Sequence, residues 1–139
     1  MRRQKRKRVL FVCVGNCCRS QMAEGFATHF GSDVLAAASA GLAPAGIVVD
    51  PTVRAMSKKN IDISSHYSKA FRVDEANDSD LVVNMSGYDL PRGVKVPVVE
   101  WDVPDPIGEP DEIYASVRDQ IENLVEKLIV DLRGKPVKA

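Results

Sequence analysis

The most constraining feature is the unbroken apolar run Val9-Leu10-Phe11-Val12-Cys13-Val14, which stops at Gly15-Asn16 and gives way to a helical pattern from Ser20. Six successive strand-forming residues with no polar alternation describe a strand covered on both faces, as in a parallel sheet between layers of helices. The following segment repeats the logic. Met22, Ala23, Phe26, Ala27 and Phe30 recur at helical spacing until Gly31, and Val34 to Ser39 reads as a second strand. Leu42 to Asp50 reads as a loop. Pro51 then suits the first turn of a helix through Val53, Met56 and Ser57, where its missing N–H costs nothing.

Farther on, Val73 to Asn77 reads as a short helix and Asp80 to Met85 as a third strand. A fourth strand is expected over Val94 to Val99, at a sheet edge because Pro97 cannot donate to a ladder. Ile113, Val117, Ile121, Leu124, Val125 and Leu128 make Asp111 to Leu132 a long amphipathic helix. This order predicts an α/β fold, a four-stranded parallel sheet with helices on both faces. At 139 residues the chain suits one domain, expected over 8–133, with a flexible basic arm over 1–7 and a flexible tail over 134–139.

The formal charge of zero hides an asymmetry. Six of the 19 basic residues lie in the first eight positions and none of the 19 acidic ones does, which leaves −6 on the rest. An acidic body is a poor partner for a polyanion, so the arm reads as a solvated leader and no nucleic-acid partner is expected. No stretch of 18 residues is free of charge, and the apolar run after the arm is shorter than the roughly 7–15 residues of a secretory core. A cytoplasmic protein without membrane contact is expected. All three cysteines, Cys13, Cys17 and Cys18, fall within six positions. That set is neither a disulfide scaffold nor a metal site, and no cofactor is expected.

The chemistry concentrates in Cys13-Val14-Gly15-Asn16-Cys17-Cys18-Arg19-Ser20, between a strand and a helix. Successive backbone N–H groups in such a turn, with a helix start behind them, suit a tetrahedral oxyanion. Arg19 adds a planar fork for two of its oxygens. Cys13 shares that positive field, which favours the nucleophilic thiolate.

These residues resemble the signature loop of the low-molecular-weight protein tyrosine phosphatase and arsenate reductase superfamily. The resemblance continues through Ser39-Ala40-Gly41, Ile61 to His66, Asp80 to Val83 and Asp105-Pro106. It implies Cys13 as nucleophile, Arg19 as clamp, the backbone from Val14 to Ser20 as cradle, and Asp105 as general acid and then base. It implies that Asn16, Ser20, Ser39 and His66 hold the loop in shape. Asp102, three residues before Asp105, reads as an exposed loop carboxylate. Cys18 matches a loop cysteine that forms a reversible disulfide with the nucleophile under peroxide, with Cys17 as competitor.

The resemblance points to two activities. Arg19 to Gly25 and Glu100-Trp101 look like the arsenate reductase branch, but the thioredoxin-linked relay of that branch needs two later cysteines. Here Ser86 stands at the first of those positions and no cysteine follows Cys18. Lys69 stands where that branch tends to carry an acidic residue at a potassium site. Phosphate-monoester hydrolysis through a phosphocysteine is the leading expectation, acting on a phosphorylated protein or a small phosphoester. The alternative is arsenate reduction with an external small thiol.

Overall fold

The computed structural model describes residues 6–134. The arm and tail expected from sequence therefore lie mostly outside the described residues. Lys7, assigned above to the arm, opens the first strand, and its amide donates to Val34 O at 2.9 Å. The elements are β1 (Lys7–Cys13), α1 (Arg19–Gly31), β2 (Leu35–Gly41), α2 (Asp50–Ser57), α3 (Val73–Asn77), β3 (Leu81–Asn84), β4 (Val98–Glu100) and α4 (Asp111–Arg133). All strands are parallel, in the order β2-β1-β3-β4. The apolar run is central, paired on both sides, and buried from Val9 to Cys13.

The two faces are covered unequally. Val9, Phe11 and Val83 face a core shared with Met22 and Phe26 of α1, Met56 of α2, and Val117, Ile121 and Val125 of α4. Leu10, Val12, Ala40 and Val82 meet only Ala76 of α3 and loop residues such as Phe71, Leu90 and Val96. The long helices thus all lie on one face and one short helix on the other.

Three sequence expectations need adjusting. β4 starts at Val98, after Pro97 and not before it, and Pro97 takes part only through its carbonyl, which accepts from the Val82 amide at 3.0 Å. It is the edge strand, as its proline requires. Phe30 is half-exposed at the end of the α1 stripe, stacked on Phe26 with centroids 6.0 Å apart. In α4 the buried stripe is Tyr114, Val117, Ile121, Val125 and Ile129, so Ile113 turns outward.

Candidate active site

The turn from Cys13 into α1 is held by its own carbonyls. Leu42, Ala43, Ala45 and Val49 donate their amides to the carbonyls of Cys13, Val14, Gly15 and Cys17, at 3.1, 2.8, 2.9 and 3.4 Å. The Ser68 and Thr52 hydroxyls also donate to the carbonyls of Gly15 and Cys17, both at 2.9 Å. With the carbonyls drawn outward, the N–H groups are left to the inner side. Among the described residues, no amide from Val14 to Ser20 donates to a protein acceptor. Gly41 permits this close approach. A Cβ there would lie 2.7 Å from Val14 O and 2.8 Å from Asn16 N.

Asn16 adopts φ 49°, a left-handed conformation that asparagine tolerates better than most residues. Its buried side chain explains how the turn keeps it. Asn16 Nδ2 donates to Ser20 Oγ at 2.6 Å, and Asn16 Oδ1 accepts from Gln21 Nε2 at 3.0 Å and from the Lys69 amide at 2.9 Å. Because Ser20 Oγ accepts from Asn16, its own hydrogen is free for Cys13 Sγ, 2.9 Å away.

His66 reaches this network at one remove: its Nδ1 lies 2.9 Å from Gln21 Oε1, and Gln21 carries the contact to Asn16. Ser39 is likewise indirect. Its hydroxyl donates to Glu24 Oε1 at 2.5 Å and accepts from Lys69 Nζ at 3.5 Å. The Lys69 ammonium also donates to Tyr67 O at 3.0 Å, so a tethered cation occupies this spot. Gln21, Glu24, Ser68 and Lys69 were not singled out as supports by the sequence reading. Gln21 carried no sequence signal: on the helical wheel it falls opposite the stripe of Met22, Ala23, Phe26, Ala27 and Phe30, yet it is fully buried.

Arg19 is almost wholly buried, and Nη1 donates to Met85 O at 2.6 Å and Val103 O at 3.0 Å. One nitrogen thus ties the end of β3 to the loop after β4. Nη2 lies 3.5 Å from Asp105 Oδ2, whose side chain is 48% exposed. Asp105, Cys13, Cys17, Cys18 and Arg19 line one cavity of about 270 Å³ with Val14, Gly15, Ala45 and Ile107. Asp102 does not line it. Its carbonyl accepts from Gln120 Nε2 at 3.0 Å instead.

Trp101 packs against Phe11, with centroids 5.9 Å apart, and gives the cavity no aromatic wall. Ser86, where a relay cysteine would stand, donates to Asn84 Oδ1 at 2.7 Å inside a buried turn.

All three cysteines are free thiols. Cys18 Sγ donates to Cys17 Sγ at 3.7 Å and lies 4.0 Å from the Tyr114 hydroxyl. Receiving that bond holds the Cys17 thiol below its ordinary value, against the opposing effects of burial and the charges of Cys13 and Asp105. Giving it, together with burial, pushes Cys18 far up. Burial also raises the Tyr114 hydroxyl. Cys18 thus keeps its proton and Cys17 is the readier to lose one. Among the described residues, no group of three His, Cys, Asp or Glu side chains is placed to hold a metal ion.

A parallel α/β sheet with a thiol, an arginine and an amide cradle at its strand ends defines a cysteine-dependent enzyme of tetrahedral oxyanions. The chain belongs to the low-molecular-weight phosphotyrosine protein phosphatase family, whose model matches residues 8–138. A glutaredoxin arsenate reductase of Synechocystis sp. is 39% identical over 131 residues, covering 91% of this chain and 98% of that relative. An arsenate reductase in a phosphate-binding state shares the fold at TM-score 0.82 and 36% identity, over 91% of this chain and 98% of the other. A low-molecular-weight protein tyrosine phosphatase from T. tengcongensis follows at TM-score 0.76 and 34% identity, over 91% and 99%. The phosphatase expectation therefore holds at the level of the family, and the reductase alternative is at least as well supported.

Proposed function

We propose that this enzyme reduces arsenate, with Cys13 as nucleophile and an external thiol as the source of electrons. The observation that carries the reading is the convergence of three free thiols on one cavity sized and charged for an oxyanion. The near full-length similarity to arsenate reductases supports it. Amides from Val14 to Ser20 and the free edge of Arg19 bind the anion. The Cys13 sulfur, accepting from Ser20, attacks arsenic, and Asp105 protonates the departing oxygen. Free thiols suit a reducing compartment such as the cytoplasm. With no cysteine after Cys18 and Ser86 locked into its turn, a thioredoxin relay through that segment does not operate. The test is arsenate-dependent thiol oxidation with glutathione and glutaredoxin, or with thioredoxin. Turnover with the former that is abolished in Cys13→Ser is expected, and no turnover with any thiol refutes the reading.

A second reading, phosphate-monoester hydrolysis through a phosphocysteine, is favoured by one specific observation. Asp105 lines the Cys13 cavity, where it can protonate a leaving oxygen and then activate water. The small rim of Ala45 and Ile107 suits a compact phosphoester as well as a phosphorylated protein. Hydrolysis of para-nitrophenyl phosphate, measured beside arsenate reduction, ranks the two.

A further inference from the structure

The mechanism so far uses one of three thiols in the cavity. Cys17 and Cys18 are buried, line the same space as Cys13, and have sulfurs 3.7 Å apart. They are not equivalent. The Cys17 sulfur stands over Gly15, so close that a Cβ on that glycine would be 3.0 Å from it. The Cys18 sulfur turns toward the Tyr114 hydroxyl, on the helix behind the cradle. The only hydrogen bond the Cys17 side chain makes among the described residues is the one it receives from Cys18.

We propose that Cys17 is the resolving thiol of the reaction, attacking the Cys13 sulfur of the arsenic adduct from within the anion loop, with Cys18 positioning it through its S–H bond. This rests on the arsenate-reductase reading. In the first step an S–As bond forms, an As–O bond breaks, and that oxygen leaves as water with a proton from Asp105; arsenic stays pentavalent. In the second, the Cys17 thiolate attacks Cys13 Sγ and an S–S bond forms. The S–As pair passes to arsenic, which becomes trivalent and leaves as arsenite with a proton from solvent. Two electrons have come from two sulfurs. An external dithiol protein, or two small thiols, then reduces the Cys13–Cys17 disulfide.

The thiolate is the attacking form in such exchange, and the bond from Cys18 favours it on Cys17. The device makes a later cysteine unnecessary. It assigns the external thiol to the disulfide and not to the arsenic adduct.

The test is a single turnover of the whole reduced protein with arsenate and no added thiol. One arsenite per protein, loss of two of three titratable thiols, and a Cys13–Cys17 cross-link on peptide mapping are expected. Cys17→Ser should release at least tenfold less arsenite, while phosphate still shields its Cys13 from alkylation, which shows the cradle folded. Cys18→Ser keeps an O–H donor and should hold the burst, and Cys18→Ala should slow it. Stoichiometric arsenite from Cys17→Ser, a Cys13–Cys18 cross-link, or a wild type with no burst that turns over normally once glutathione is added would overturn the relay alone. If neither burst nor thiol-supported turnover occurs, the reductase reading falls with it.

Discussion

Gly41→Ala tests the claim that the anion loop is shaped from the neighbouring strand. The added methyl would stand 2.7 Å from Val14 O, 2.8 Å from Asn16 N and 2.9 Å from Asn16 Cβ. Two of the three are backbone atoms and cannot swing aside. Gly41 is also pinned, since its amide donates to Lys69 O and its carbonyl accepts from the Phe71 amide, both at 2.8 Å. Restoring ordinary contact requires the Val14–Asn16 backbone to retreat by about 0.7 Å. Overpacking of this kind costs about 1–3 kcal/mol, or roughly 3–10 °C in melting temperature for a domain of this size. The functional loss should be larger than the stability loss. Displacement of about 1 Å at a reacting centre can lower a rate about 10²-fold, and the amides of Val14 to Asn16 belong to the cradle itself. Melting is followed by circular dichroism, anion binding by phosphate protection of Cys13 from iodoacetamide, and turnover with arsenate and thiol. A variant with wild-type melting and wild-type phosphate protection would refute the reasoning.

Other outcomes follow from particular contacts. Arg19→Lys removes the fork that spans Met85 O, Val103 O and Asp105, and should weaken phosphate binding at least tenfold by calorimetry; an unchanged affinity rejects the clamp. Gln21→Leu cuts His66 from Asn16 and strips one partner from Asn16 Oδ1 inside the core, so a loss of about 1–3 kcal/mol in denaturant unfolding is expected. Alkylation of Cys17 should rise at lower pH than that of Cys18, because one thiol is lowered and the other raised. In Cys18→Ala the Cys17 profile should move to higher pH, and an unmoved profile argues against the S–H bond. Arg133 holds the Asp33 carboxyl below the usual range. A depressed acid stabilises the fold above its unfolded value and loses that contribution as pH falls through the folded one. Arg133→Ala should therefore lower stability near neutrality, where the pair contributes in full, and less at low pH, which flattens the acid side of the stability curve.

The reach of the sequence followed the physics of each element. β1 was legible because a strand buried on both faces leaves no polar alternation, and α3 because its segment is short and bounded. β4 was misplaced by four residues at its start, since Val94, Val96 and Val98 alternate as a strand does while Pro97 interrupts the pairing. Local pattern cannot tell which valines find a partner. Cys13 and Arg19 drew notice by their spacing around a strand-to-helix turn and Asp105 through the resemblance, and the fold brings all three to one cavity. Gln21 and Glu24 were not, because a polar residue on a buried helix face looks like an exposed one until its partners, 15 to 46 residues away, are in place. The rotation of the α4 stripe was hidden for a related reason. Arg118 spends its guanidinium on Ala55 O and so tolerates burial that a helical wheel would deny it.

The parallel register sends all four strand ends carrying chemistry to one side and the entry of the chain to the other. From Lys7 to Cys13 the first strand climbs about 20 Å at the usual rise per residue. That is more than twice the roughly 8 Å over which physiological salt damps a charge. Lys7 and Arg8, at the amino end of that strand, are therefore electrically remote from the cradle. Charge reversal there should leave anion affinity untouched at physiological salt, and a fusion partner joined ahead of Lys7 should neither block nor polarise the reaction. Affinity for the anion is a private property of the turn after β1, insulated from whatever the other edge of the sheet meets.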